Sequence, residues 1–212
     1  WSDNNDQDGK RPQDIKVQLY AGEDKCGEEV TLNTGNNWSY IWTGLDVKKA
    51  GTVISYSVKE VNVPEGYTST VSGDAKNGFT ITNSHTPETT QVSGTKTWND
   101  SKDQDGKRPG SITVKLLANG IEKASKTVTA KDDWKYSFTN LPKYADGQLI
   151  SYTVTEDGVE DYQTTISGYD ITNSYTPGKT SITVTKTWSD NNDQDGKRPQ
   201  DIKVQLYAGE DK

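Results

Sequence analysis

The sequence has 212 residues, 24 basic against 31 acidic, for a net charge of −7. A net acidic chain argues against nucleic acid or an anionic membrane surface as a partner, and no apolar run is long enough to span a bilayer or reads as a signal peptide. Only 29% of residues are hydrophobic, a composition that leans toward disorder, yet six Trp and eleven Tyr alternate with Val, Ile and Thr as in strands. These features predict small β-domains with thin cores, which commonly need a covalent staple. The single Cys26 cannot form an internal disulfide. It reads as a buried or incidental thiol, or an engineered label, rather than a catalytic one, and no local motif joins it to His85, the one histidine.

The chain opens on "WSDNNDQDGKRPQDIKVQLYAGEDK", Trp1 to Lys25. Asn4, Asp6 and Asp8 fall at alternate positions before Gly9, like the start of a calcium loop. The twelfth position of such a loop wants Glu and here holds Ile15, so the stretch reads as an Asp/Gly turn, with no metal site and no cofactor. "NNWSYIWTGL" from Asn36 returns as "DDWKYSFTNL" from Asp132. "ISYSVKE" at Ile54 returns as "ISYTVTE" at Ile150, and "ITNSHTP" at Ile81 as "ITNSYTP" at Ile171. "TWNDSKDQDGKRP" from Thr97 repeats the opening, and Trp188 to Lys212 repeats Trp1 to Lys25 without a substitution. The array therefore has a period of 187 (188 − 1), each period holding two divergent domains. The boundaries fall at 1–89, 90–178 and 179–212, the last being the start of a further repeat. The Thr/Pro linkers "HTPETTQ" and "YTPGKT" predict a stiff string of domains. "NWS" at Asn37 and "NDS" at Asn99 fit a glycosylation pattern, and His85 reads as a strand-end residue beside a linker rather than a ligand.

Alternation along the strands picks out three polar residues per domain. Ile54, Tyr56, Val58 and Glu60 share a face, as do Ile150, Tyr152, Val154 and Glu156. Val92, Gly94, Lys96 and Trp98 share one, and so do Ile182, Val184, Lys186 and Trp188. Phe79, Ile81 and Asn83 line up, as do Tyr169, Ile171 and Asn173. Each unit thus sets one Lys on its first strand, one Asn on its last and one Glu on the strand before that. Any one of them could be a strand-end residue leaning into water; three in register are a chemical set. Burial pushes an amine toward its neutral, nucleophilic form and a carboxyl toward its protonated form. Such a trio can join Lys to Asn with loss of ammonia, once, without a cofactor.

The ordered set "KTW…DQDGKRP", "YSVKE" or "YTVTE", and "ITNSHTP" or "ITNSYTP" resembles the Cna B-type domains of Gram-positive surface proteins, the B-type repeats of staphylococcal collagen adhesins. The resemblance covers the whole chain. It implies an all-β fold of tandem inverse immunoglobulin-like sandwiches in a rod, with an intramolecular isopeptide bond in each. It assigns Lys96, Glu156 and Asn173 to the second domain's trio and Glu60 and Asn83 to the first. Glu60 and Glu156 would promote the reaction. The lysine strand of the first domain does not precede Trp1; its copy, with Lys186, lies at the other end. The resemblance further implies an extracellular, wall-anchored stalk that projects a separate ligand-binding region. Expected partners are neighbouring repeats, with head-to-tail self-association through 179–212 and Lys186–Asn83 bonds between copies. A host-ligand-binding sandwich is the competing reading. A hydrolase ranks below both, because Glu60 and Glu156 belong to different repeats and no nucleophile elbow or phosphate-cradling glycine motif is present.

Overall fold

The computed structural model describes residues 1–209. It divides into a unit from Trp1 to Pro177 and a second from Gly178 onward. The first unit is built from β1 (Asp14–Ala21), β2 (Asp24–Lys25), β3 (Val30–Asn33), β4 (Lys48–Lys49), β5 (Thr52–Val53), β6 (Tyr56–Val61), β7 (Thr68–Asp74) and β8 (Gly78–Ser84). These are followed by β9 (Thr89–Asn99), β10 (Ser111–Ala118), β11 (Ile121–Thr129), β12 (Lys135–Pro142), β13 (Tyr144–Ala145), β14 (Gln148–Leu149), β15 (Tyr152–Glu156), β16 (Gln163–Ser167) and β17 (Asp170–Ser174). Two single-turn 3₁₀ helices, Thr34–Asn36 and Ala130–Asp132, sit at matching places in the two domains.

The second domain packs two sheets, β11-β10-β15 and β12-β9-β17-β16, face to face. Strict alternation drives this. In β10, Ile112, Val114, Leu116 and Ala118 are buried while Thr113, Lys115 and Leu117 are half-exposed. Ile112, Val114 and Leu116 meet Val92, Val128, Tyr136, Phe138, Val154 and Ile171 in one core. Burying each large aliphatic side chain contributes about 1.5–3 kcal/mol. The first strand β9 runs parallel to the last, β17, and antiparallel to β12. One strand that alternation does not predict, β16, lies between the Glu strand and the Asn strand and pairs with β17 at the sheet's edge. "QTTIS" has no buried residue, so no apolar periodicity marks it.

The first domain keeps one sheet, β2-β1-β3 with β6 on the other side of β1, and the hairpin β7-β8. Ser39 to Leu45, the counterpart of β12, forms no strand. The neighbour of β12 in the second domain is β9, and no equivalent of β9 lies beside Ser39 to Leu45 among the described residues. Tyr40 is therefore 52% exposed, where the matching Tyr136 is 3%. A cavity of about 990 Å³ opens beside it, lined by Leu19, Ile54, Val58, Phe79, Ile81 and Asn83 among others.

One local module forms in both domains and again in the second unit. The Arg11 guanidinium bonds both oxygens of Asp3, Arg108 those of Asp100, and Arg198 those of Asp190. Between them runs a left-handed turn: Asn4, Asn5 and Asp6 have φ of 51°, 60° and 62°, and Ser101–Asp103 and Asn191–Asp193 match them. Asn and Asp tolerate this region best. The guanidinium, with the hydroxyls of Tyr67 and Tyr162, holds Asp3 and Asp100 down to a pKa of about 2. The acids of the calcium-like stretch are engaged within the protein: Asp6 accepts from the Arg11 amide, and Asp8 from His85.

Asp8 belongs to the junction of the two domains. It accepts from His85 Nε2 at 2.9 Å and from the Glu88 amide at 2.7 Å. His85 Nδ1 faces the Gly66 carbonyl at 2.8 Å. Glu88 takes Lys10 of the first domain and Lys143 of the second, each at 2.8 Å. Gly9 and Gly147 touch here; a Cβ on Gly9 would meet Gly147 Cα at 2.6 Å, so Gly9 leaves no room for a side chain. In the second unit, Ile182, Val184, Val204 and Leu206 are all more than 60% exposed and pair into no strand among the described residues. Residues 210–212, the end of the expected further repeat, lie outside the described residues.

Candidate functional site

The second domain's trio converges from three strands. On β9, Val92, Gly94, Lys96 and Trp98 face inward, as alternation requires. Gly94 is obligatory: a Cβ there would stand 2.0 Å from the Tyr169 carbonyl and 2.7 Å from the Tyr136 hydroxyl, which itself donates to that carbonyl. On β17, Ile171 pairs with Lys96 and Asn173 with Trp98, so the last strand brings Asn173 beside the lysine's face. Glu156 comes from the opposite sheet, where it pairs with Val114.

The Lys96 and Glu156 side chains are both 0% exposed, and Nζ lies 2.9 Å from Glu156 Oε1. This is an ionic contact whose angle falls short of a hydrogen bond. Burial holds the Lys96 amine below its usual range, while Glu156 pulls it back up. Trp98 lies beneath the nitrogen, its ring centre 4.4 Å away. Asn173 is 0% exposed, and neither its Nδ2 nor its Oδ1 has a hydrogen-bond partner. An unsatisfied buried polar group costs about 1–3 kcal/mol, and native interiors hold few of them. A fully enclosed amine, carboxyl and unsatisfied amide are therefore gathered in a site closed to solvent. Thr164, which face-by-face alternation does not single out, pairs directly with Asn173 and donates its hydroxyl to Glu156 Oε2 at 3.1 Å. The available signal was its place two residues after Tyr162, matching Ser69 two after Tyr67.

The first domain brings Glu60 and Asn83 together without a lysine. Asn83 Nδ2 donates to Glu60 Oε1 at 2.8 Å. Glu60 Oε2, Asn83 Oδ1 and Ser69 Oγ are buried without partners. Lys186 is exposed in the second unit, its nitrogen on the Thr187 carbonyl and 4.0 Å from the Trp188 ring centre.

Paired sheets whose first and last strands lie side by side and parallel, as the second domain has them, define the class: inverse immunoglobulin-like β-sandwiches, here in a chain whose segments recur in tandem. The model of the family described as Cna protein B-type domain matches residues 1–84, 92–174 and 182–212. The chain belongs to the Cna B-type domain family. A collagen adhesin of Staphylococcus aureus is 54% identical over 207 residues, 98% of this chain and 18% of the adhesin, so the chain spans under a fifth of that relative. The crystal structure of two B repeat units of the S. aureus collagen binding protein is 53% identical, with a TM-score of 0.79 over 94% of this chain and 53% of the other. A single B repeat unit of the same protein is 34% identical over 84% of this chain and 95% of its own, with a TM-score of 0.41.

Proposed function

We propose that the chain is a stretch of structural stalk whose domains lock themselves with Lys–Asn isopeptide bonds, in an extracellular, wall-anchored protein that carries its ligand-binding region elsewhere. Family membership and the S. aureus relative support the stalk and its location. The observation that carries the cross-link is Asn173, wholly buried with no hydrogen bond, beside the enclosed Lys96–Glu156 contact. In this reading the neutral Lys96 Nζ adds to Asn173 Cγ. Glu156 protonates Oδ1, carries a proton from Nζ to Nδ2, and takes the Oδ1 proton back as the carbonyl re-forms, the Cγ–Nδ2 bond breaks and ammonia leaves. One C–N bond forms and one breaks, so the domain acts once and is not an enzyme on a separate substrate. Intact mass spectrometry tests this: one ammonia fewer than the sequence mass is expected, and full mass overturns it.

The same reading divides the repeats at 1–89, 90–178 and 179–212 and gives the first domain's cavity one occupant, a strand of the kind spanning Thr180 to Thr187. Ile182 and Val184 would fill the apolar lining, and Lys186 would meet Asn83. The strand comes from residues that precede Trp1 in a longer array or from a second copy of this chain. On a denaturing gel a ladder of covalent multimers marks the second source. A single species at the sequence's own length, with the cavity still open, rules out the copy as donor.

A further inference from the structure

The hydroxyl at Thr164 has no role in the trio as described. It sits on β16, the outermost strand of its sheet, directly across from Asn173. Its bond goes to Glu156 Oε2, the oxygen turned away from the lysine, while Oε1 takes Lys96 Nζ at 2.9 Å. The first domain repeats the placement with a different residue. Ser69 is directly across from Asn83, and its buried Oγ and Glu60 Oε2 both lack partners. A serine in one repeat and a threonine in the other share only the hydroxyl on a short stem. Around it, strands β7 and β16 run in the same register, Thr70 and Ser72 matching Thr165 and Ser167.

We propose that Thr164, and Ser69 in the other domain type, are positioning residues for the cross-link. The hydroxyl holds one carboxyl oxygen so that the other stays between the lysine nitrogen and the asparagine amide. The proposal rests on the cross-linking reading and adds a fourth member to its residues. The carboxyl must reach Oδ1 when the amine adds and Nδ2 when ammonia departs. A carboxyl free to rotate about its last bond would spend part of its time out of line with both. A donor on the far oxygen restricts that rotation without competing for the oxygen that moves the proton. Thr164 makes no covalent change itself.

The test follows bond formation in the full 212-residue chain during cell-free synthesis, quenched in denaturant at intervals and read by intact mass. Thr164 is exposed on an edge strand, so Thr164→Val keeps the fold, verified by its circular dichroism. Thr164→Val is expected to lose ammonia about tenfold more slowly, a modest part of what a well-placed acid–base group supplies. Thr164→Ser is expected to match the parent, because it restores the hydroxyl that Ser69 offers. Equal rates for the Val variant and the parent overturn the proposal. So does a Ser variant as slow as Val, because the hydroxyl would then be present without restoring the rate. A parent chain that never loses ammonia sinks the cross-linking reading itself, a result distinct from either of these.

Discussion

The two domains of the first unit hold the same Glu–Asn couple in opposite states. In the second, Glu156 faces Lys96 and the Asn173 amide has no hydrogen bond. In the first, Glu60 holds the Asn83 amide directly. The difference reaches beyond the couple. With β9 in place, Tyr136 is buried on a paired strand at 3% exposure; without its equivalent, the matching Tyr40 is 52% exposed on a segment that forms no strand. The first strand thus brings more than a lysine. It is the template on which half of the sandwich pairs, and the chemistry and the core depend on the same segment.

Removing the lysine from the complete domain should bring it closest to its open neighbour. A Lys96–Asn173 bond would close a loop of 77 positions (173 − 96). By analogy with a disulfide, it constrains the unfolded chain by about 4 kcal/mol. Lys96→Ala should lower the melting temperature of that domain by more than about 15 °C, with calorimetry as the measure, and an unchanged transition would show that no bond contributes. The converse experiment supplies the open domain with its strand. Placing the sequence of Thr180 to Thr187 ahead of Trp1 should produce a second loss of ammonia, bury Tyr40 and raise that domain's own transition by a comparable amount. A longer chain with unchanged mass deficit and exposed Tyr40 would break the equivalence of the two domains. A smaller effect is expected at Gly94. The aligned residue of the next repeat is Val184, yet Gly94→Val would drive a side chain into the Tyr169 carbonyl. A loss of about 1–3 kcal/mol in urea unfolding is expected; no loss would mean that the two strand types are interchangeable.

The smallest effect concerns the junction and is pH-dependent. Asp8 first, and then the Gly66 carbonyl, hold His85 above its ordinary value of 6.5 while Lys10 opposes them, and Tyr67 lies against its ring. Folding therefore gains from the charged ring. That gain is complete below pH 6.5 and is lost as pH rises through the raised pKa. Amide exchange at Glu88, whose N–H shares the Asp8 carboxylate, should lose protection relative to its intrinsic hydroxide-catalysed rate over that rise. In His85→Tyr, which copies Tyr175, that protection should not change with pH; an equal pH dependence in both would remove His85 from the account.

Alternation made most of this legible. Lys96, Glu156 and Asn173 stand out because each breaks an apolar face at the same phase, and the structure buries all three side chains. The double repeat is plain because matching segments recur in the same order. Thr164 escaped for the reason that β16 did: threonine is inconspicuous on a Thr-rich strand, and its meaning comes from a cross-strand partner nine positions away (173 − 164). The Asp8–His85–Glu88 junction escaped because its members stand about 80 positions apart and only the docking of two domains unites them. The failure of Ser39 to Leu45 to form a strand shows the limit from the other side, since a β-pattern without a neighbouring edge has nothing to pair with.

Glu88 is a charge held by lysines of two consecutive domains. Ninety positions later, by the spacing of Trp98 and Trp188, the chain carries Gly178, which has no carboxylate. Lys143 corresponds to Val47 in the other domain type, by the alignment of Tyr152 with Tyr56. The ingredients of the clasp therefore recur once per 187-residue period rather than once per domain. An array built on this repeat would therefore carry two kinds of junction in strict alternation, like a chain stitched with two threads, and a substitution at Glu88 would touch only every second one.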